Sequence, residues 1–96
     1  MKCVVVRVPW EHGLHLRPAA SLALLAKQFR SEIVLRLGQH TANLRSMLGV
    51  ISLCAMMGAV LEVEVIGEDE DHAVAAIERA FLTGGGNPEG DGTDVA

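Results

Sequence analysis

Hydrophobic and polar residues alternate in three stretches of the chain, a pattern typical of strands that bury one face. These stretches are residues 3–8, 33–37 and 61–65. Gly38-Gln39 indicates a tight turn after the second stretch, so a further short strand is expected over residues 40–44. The alternation therefore predicts four strands.

Three other segments show the helical repeat, with hydrophobic residues three and four positions apart. The first is predicted over residues 16–30. The second is predicted over residues 47–57, between Ser46 and Gly58, residue types that commonly begin and end helices. A third helix is expected to begin after Asp69. The resulting order, β-α-β-β-α-β-α, indicates an α+β fold with helices layered on one face of a mainly antiparallel sheet.

The length of 96 residues, half of them hydrophobic, suits one small core, and one domain is expected over residues 1–83. Residues 84–96 are rich in glycine and acidic side chains, which predicts a disordered tail. No apolar run is long enough to cross a bilayer, so membrane insertion is not expected. Cys3 and Cys54 have apolar neighbours and are predicted to be buried or half-buried thiols in a reducing cytoplasm.

The formal net charge of −4 argues against nucleic-acid binding, which needs a basic face. Lys and Arg are concentrated in residues 1–45, and Asp and Glu in residues 62–96. A positive patch is therefore expected despite the negative total. The four histidines are scattered, with no cysteine or carboxylate at ligand spacing among them, so no metal site is expected.

His15 stands just before the first predicted helix, in the run Gly13-Leu14-His15-Leu16-Arg17-Pro18-Ala19-Ala20. A helix N-terminus offers free N–H groups and the positive end of the helix dipole, which together suit an anion. Arg17 adds a guanidinium whose shape matches phosphate oxygens. The pattern favours a histidine that accepts a phosphoryl group. A histidine before a helix is nevertheless often only a solvated surface residue, and this motif alone leaves both interpretations open.

The run from Gly13 to Ala20 closely resembles the active-site motif of the HPr family, the histidine-containing phosphocarriers of the bacterial phosphotransferase system. Two further blocks resemble that family at its spacing. Residues 45–53 look like its regulatory-serine segment, and residues 67–74 look like its last strand-to-helix joint. The resemblance covers residues 1–83. It implies an HPr-like open-faced β-sandwich, with three helices on one side of a four-stranded antiparallel sheet.

The same resemblance implies that His15 accepts a phosphoryl group on Nδ1 from enzyme I, itself charged by phosphoenolpyruvate. His15 would then pass the group to an enzyme IIA domain, with Arg17 stabilising the phosphate. It further implies a monomeric carrier, not an enzyme, with no metal or organic cofactor of its own. Whether a sugar or a nitrogen-related branch is served stays open.

Ser46 has two compatible interpretations. As a helix N-cap it contributes on the order of 1 kcal/mol. The resemblance also implies phosphorylation by an HPr kinase/phosphorylase, which would weaken docking to enzyme I. An alternative function follows, that of a regulatory adaptor controlled by Ser46 and binding a kinase or transcription regulator. The presence of His15 together with Arg17 favours the carrier.

Several apolar residues of the first two helices are not needed for the predicted buried stripes. They are expected to form one exposed patch beside His15, rimmed by Arg17, Lys27 and Arg45, and suited to brief docking. These residues are Leu16, Ala20, Leu24, Met47, Leu48 and Ile51. Burial in the core stays an alternative for each of them.

The sequence departs from the family pattern at two places. His12 stands where the family commonly has a small polar residue. A second imidazole there could donate a hydrogen bond, add positive charge when protonated, or simply be solvated. Cys54-Ala55 replaces a glycine-containing bend, and the apolar run to Met57 predicts a longer second helix, as in the nitrogen-related branch.

Overall fold

Four strands and three helices follow one another in the predicted order in a computed structural model, which describes residues 1–84. The strands are β1 (Lys2–Arg7), β2 (Glu32–Leu37), β3 (His40–Asn43) and β4 (Val60–Ile66). The helices are α1 (Leu16–Ala26), α2 (Met47–Ser52) and α3 (Glu70–Leu82). None of them is long and apolar enough to cross a membrane. From residue 85 on, the predicted tail lies outside the described residues.

The strands form one antiparallel sheet in the order β1-β4-β2-β3. Val63 of the central strand β4 lies opposite Val4 on one side and Leu35 on the other. Because side chains alternate along a strand, Leu61, Val63 and Val65 are completely buried beneath the helices. The opposite face of the sheet is open. The predicted open-faced α+β fold is confirmed.

The first helix ends at Ala26, four residues before its predicted end. Phe29 leaves the helical path and packs partly against the core. The backbone N–H groups of Arg30 and Ser31 then donate to the Asp69 carboxylate at 2.9 and 3.0 Å. These contacts with a distant part of the chain require the backbone to leave the helix early.

The prediction of a longer second helix is wrong, because α2 ends at Ser52. Cys54 has a φ of +55°, a left-handed conformation that ends helices. Beyond it, the Ala55 carbonyl accepts a hydrogen bond from the Leu14 N–H at 2.8 Å. The segment after α2 is therefore held by the loop that precedes α1, and it cannot continue the helical spiral toward Met57.

Both cysteines are exposed and unpaired, contrary to the predicted burial. Cys3 alternates with the inward-facing Val4 and Val6 of β1, so its side chain lies on the open face of the sheet. Cys54 is exposed at the left-handed turn after α2. Apolar neighbours along the sequence were a poor guide because neither position faces the core.

Candidate functional site

His15 occupies the N-cap of α1, in extended backbone conformation with φ −89° and ψ −166°. Its carbonyl accepts the first helical hydrogen bond from the Ala19 N–H at 3.0 Å. The imidazole makes no capping hydrogen bond to the helix. The ring is half-buried. It thus lies beside the positive end of the helix while its nitrogens are not engaged by that end.

The first turn of α1 holds no anion of its own. Helix geometry leaves the N–H groups of Leu16 and Arg17 without an intrahelical partner, and Pro18 has no N–H. Within residues 1–84 neither of these two N–H groups finds another acceptor. The first turn also contains no acidic residue. An anion reaching this helix end meets free donors and a positive dipole.

Arg17 lies in the first turn of α1. It is exposed, and over the described part of the chain it forms no ion pair and donates no hydrogen bond. Other arginines are engaged: Arg30 pairs with Glu68 at 3.0 Å, and Arg36 with Glu64 at 2.8 Å. The Arg17 guanidinium is therefore available to a ligand.

The loop that presents His15 depends on a glycine. Gly13 has a φ of +75°, a conformation that side chains rarely adopt, and its N–H donates to the Trp10 carbonyl at 2.9 Å. A Cβ at this position would lie 2.5 Å from the Ala55 carbonyl oxygen. The same oxygen accepts the Leu14 N–H. Only glycine lets the loop approach this oxygen so closely.

His15 and Arg17 line a cleft of about 270 Å³. The other lining residues are Trp10, Glu11, His12, Pro18 and Gly84. The Trp10 ring packs on Phe81 of α3 with 5.3 Å between ring centroids, and its Nε1 donates to the Gly84 carbonyl at 3.0 Å. The sequence did not predict that Phe81 and Gly84, at and after the end of α3, would help to form this cleft. The single tryptophan close to His15 was the only signal for it.

His12 lies beside His15 in the lining of the cleft. The two ring centroids are 5.8 Å apart, with an interplanar angle of 73°. His12 is exposed, and neither ring has a hydrogen-bond partner among residues 1–84. Two imidazoles, the Arg17 guanidinium and the Glu11 carboxylate thus line the same small space.

The predicted apolar patch is only partly exposed. Leu16, Leu24 and Leu48 are 59%, 64% and 74% exposed. Met47 and Ile51 are half-buried and pack against the core. Ala20 is also half-buried. Three leucines of the predicted set, on α1 and α2, are therefore exposed, and the other three members are half-buried.

The basic residues predicted to surround the apolar patch differ in their contacts. Lys27 is exposed and makes no ion pair within the described residues. Arg45 is exposed as well, but its guanidinium donates to the carbonyl oxygens of Phe29 and Ser31. Arg45 thus stabilises the loop after α1. Arg17 and Lys27 keep free charges on the side of α1.

Ser46 is the N-cap of α2, as the sequence predicts. Its Oγ accepts a hydrogen bond from the Gly49 N–H at 3.1 Å. The residue is exposed, so the hydroxyl is open to solvent even though it serves the helix.

Asp69 precedes α3 as expected, yet its side chain does not cap that helix. The carboxylate instead accepts hydrogen bonds from the Ser31 hydroxyl and from the backbone N–H groups of Arg30 and Ser31. The Ser31 hydroxyl is the largest of the causes that lower the pKa of Asp69 to about 2. A hydrogen bond from the Gly67 N–H likewise lowers the pKa of Glu70.

Comparisons with known proteins agree with this geometry. Residues 3–82 match the family model described as "PTS HPr component phosphorylation site". The phosphocarrier protein HPr of Treponema pallidum (strain Nichols) is 42% identical over 76 residues, which are 79% of this chain and 86% of that protein. The HPr of Lysinibacillus sphaericus is 43% identical over 65 residues, 68% of this chain and 74% of that protein. The crystal structure of HPr-C-His from Thermoanaerobacter tengcongensis superposes with a TM-score of 0.85 at 31% identity, covering 91% of this chain and 98% of that one.

Proposed function

The chain belongs to the HPr family of phosphocarrier proteins, and we propose that it carries a phosphoryl group on His15 between two proteins of a phosphotransferase system. The N-terminus of α1 carries this proposal, because its first turn contains no acidic residue. His15 stands beside free N–H groups and the unpaired Arg17, with no acidic residue in the first turn of the helix. A dianionic phosphoryl group supplies the charge that this helix end lacks.

Transfer takes place at a ring nitrogen of His15, for which we propose Nδ1. In charging, this nitrogen attacks phosphorus, and the new N–P bond forms as the bond between phosphorus and the donor breaks. In discharge, a nucleophile of the acceptor attacks the same phosphorus and His15 leaves. The Leu16 and Arg17 N–H groups and the Arg17 guanidinium then face the phosphoryl oxygens. Modest stabilisation suits a carrier, because a very tight site would slow onward transfer.

We propose enzyme I, charged by phosphoenolpyruvate, as the donor and an enzyme IIA domain as the acceptor, in the cytoplasm. The exposed leucines at positions 16, 24 and 48 support transient docking, since exposed apolar groups beside a site commonly mark a partner surface. The free charges of Arg17 and Lys27 favour acidic partners and speed the encounter. A sugar branch and a nitrogen-related branch fit this surface equally.

Ser46 is the proposed regulatory site. Its exposed hydroxyl can be reached by a kinase, and a phosphate there would add about two negative charges at the start of α2. Because α2 packs against α1, that charge would disfavour an acidic partner at the docking surface. The same exposed hydroxyl favours a regulatory adaptor as the second candidate function. In that role the protein would bind its partner after Ser46 is phosphorylated, and His15 would remain unmodified.

The charging step is tested by incubating the protein with enzyme I and labelled phosphoenolpyruvate. We expect an acid-labile, base-stable adduct, the chemistry of a phosphohistidine, and its absence from His15→Ala. His72→Ala is the matched control, since His72 is an exposed histidine on α3. Equal labelling of His15→Ala would contradict the proposal. An unlabelled wild-type protein that binds its partner only after Ser46 phosphorylation would favour the adaptor.

A further inference from the structure

The carrier mechanism above gives no role to His12, although its ring faces the reacting histidine. The centroid separation of 5.8 Å is too large for a direct hydrogen bond between the rings, and none is found. The near-perpendicular rings share a cleft of about 270 Å³ rather than packing face to face. Because both rings line this cleft, a phosphoryl group held there by His15 would lie within a few ångströms of His12.

The charges that face His12 come from two elements. Its own loop contributes Glu11, and α1 contributes His15 and Arg17, all lining the same cleft. Trp10 and Gly84 complete the walls without ionisable side chains. Phosphorylation of His15 would add about two negative charges to this cleft and so favour the protonated form of His12.

We propose that His12 is a proton-linked phosphate ligand, an inference that rests on the proposed phosphorylation of His15. When His15 gains its phosphoryl group, the His12 ring takes up one proton from solvent and donates an N–H hydrogen bond to a phosphoryl oxygen. When the group leaves for the acceptor, His12 returns that proton to solvent. A small polar side chain at position 12 could donate a hydrogen bond but could not change its charge.

This proton coupling makes the equilibrium between the free and the phosphorylated protein depend on pH. The phosphorylated state binds more protons at His12 than the free state, so a fall in pH favours the phosphorylated state. For a midpoint shift of about one pH unit, the equilibrium changes by at most about threefold per pH unit, between the pH values at which His12 is half-protonated in the two states. Above and below that window, His12 contributes no pH dependence.

The test is an NMR titration of the histidine rings in the full chain, free and phosphorylated by enzyme I with phosphoenolpyruvate. We expect the midpoint of the His12 titration to rise by about one pH unit on phosphorylation, since opposite charges within about 4–6 Å produce shifts of that size. His72 is the internal control, because it lies near the start of α3, at the other end from Phe81 beside the cleft. Its midpoint should stay unchanged.

The variant His12→Asn keeps a polar side chain and removes the proton. We expect its phosphorylated form to be destabilised about two- to fivefold relative to wild type near pH 6, with the difference fading toward pH 8. Phosphorylated His15 with a His12 midpoint that moves no more than that of His72 would overturn the inference and leave the carrier function intact. Failure of His15 to become phosphorylated would instead overturn the carrier function itself.

Discussion

Residues 1–84 contain two long helices, α1 and α3, whose N-terminal ends carry side chains of opposite charge. At α3, acidic residues stand at the cap and in the first turn: Asp69, Glu70 and Asp71. Their carboxylates are engaged, Asp69 by the loop after α1 and Glu70 by the Gly67 N–H. At α1, the corresponding positions are His15, Leu16 and Arg17, and no carboxylate is present.

This difference separates a structural helix end from the one that we propose to be functional. Both ends carry free N–H groups and a positive partial charge, and an anion stabilises either. At α3 the chain supplies the anion, and the resulting hydrogen bonds join two distant loops. At α1 the first turn has no acidic residue, and within residues 1–84 the Arg17 guanidinium forms no ion pair, which is the arrangement that the proposed phosphoryl carrier requires.

The largest effect is expected from placing an acidic side chain in the first turn of α1, which makes this helix end resemble that of α3. Arg17→Glu places a carboxylate in the first turn and removes the guanidinium. Hydrogen bonds to charged groups contribute about 1.5–3 kcal/mol each, so we expect labelling by enzyme I to slow about a hundredfold. The rate of label incorporation at equal enzyme I concentration measures this.

The control for this variant is Lys2→Glu, which changes the net charge equally and alters only an exposed pair with Asp71. It should label at nearly the wild-type rate, because exposed pairs contribute little. If both variants slow labelling equally, the effect comes from overall charge, and the special role assigned to the α1 end is wrong.

Alanine substitutions at Gly13 and Gly67 compare the N-terminal ends of α1 and α3, because an added Cβ would approach a neighbouring atom equally closely at both positions. A Cβ at Gly13 would lie 2.5 Å from the Ala55 carbonyl oxygen, and a Cβ at Gly67 would lie 2.5 Å from Ser31 Cα. Both residues have positive φ, +75° and +155°. We expect each Gly→Ala variant to lower the free energy of unfolding by about 1–3 kcal/mol, as measured by denaturant titration.

The two variants should differ in function. Gly13→Ala shifts the loop that presents His15, so the folded fraction should also label more slowly. Gly67→Ala, measured where it is folded, should label at the wild-type rate. Normal labelling of Gly13→Ala would show that the approach of the loop to Ala55 does not position His15.

The sequence predicted the element order and the strand positions because both depend on local alternation and on turn residues. It did not predict where α1 and α2 end. Those ends depend on hydrogen bonds to distant residues, from Arg30 to Asp69 and from Leu14 to Ala55, which no local pattern reveals. The apolar run after Ser52 resembles a continuing helix, and only the folded chain shows that Cys54 turns left-handed.

The site could be predicted where it follows from chain order. His15 before a helix and Arg17 in its first turn are adjacent in sequence, so their proximity needed no tertiary information. The wall formed by Trp10 and Gly84 and the guanidinium contacts of Arg45 join parts of the chain that are far apart in sequence. For the same reason, the burial of Met47 and Ile51 required the structure.

Exposed leucines allow a finer comparison of α1 with α3. Leu24 of α1 is 64% exposed and Leu82 of α3 is 77% exposed. If the docking surface surrounds the open end of α1, Leu24→Ser should raise the enzyme I concentration needed for half-maximal labelling about fivefold, through about 1 kcal/mol of lost apolar contact. Leu82→Ser should leave it unchanged. Equal effects would place the docking surface elsewhere.

The smallest expected effect concerns acid stability at the α3 end. The pKa of Asp69 is about 2 in the folded chain, below its ordinary value near 3.9. A lowered folded-state pKa contributes stability above the ordinary value, and this contribution is lost as pH falls from about 4 to 2. Asp69→Asn should therefore be less stable at neutral pH and lose less stability over that range, as measured by urea unfolding. A wild-type pH slope in the variant would show that Asp69 is not the titrating group.

The central claim, that the open end of α1 holds a phosphoryl group for onward transfer, is tested most directly by a chase experiment. The protein is labelled by enzyme I, separated from it, and mixed with an enzyme IIA domain. The label should leave His15 and appear on the acceptor in equal amount. Label that stays on His15, or that is released only as inorganic phosphate, would contradict the carrier role.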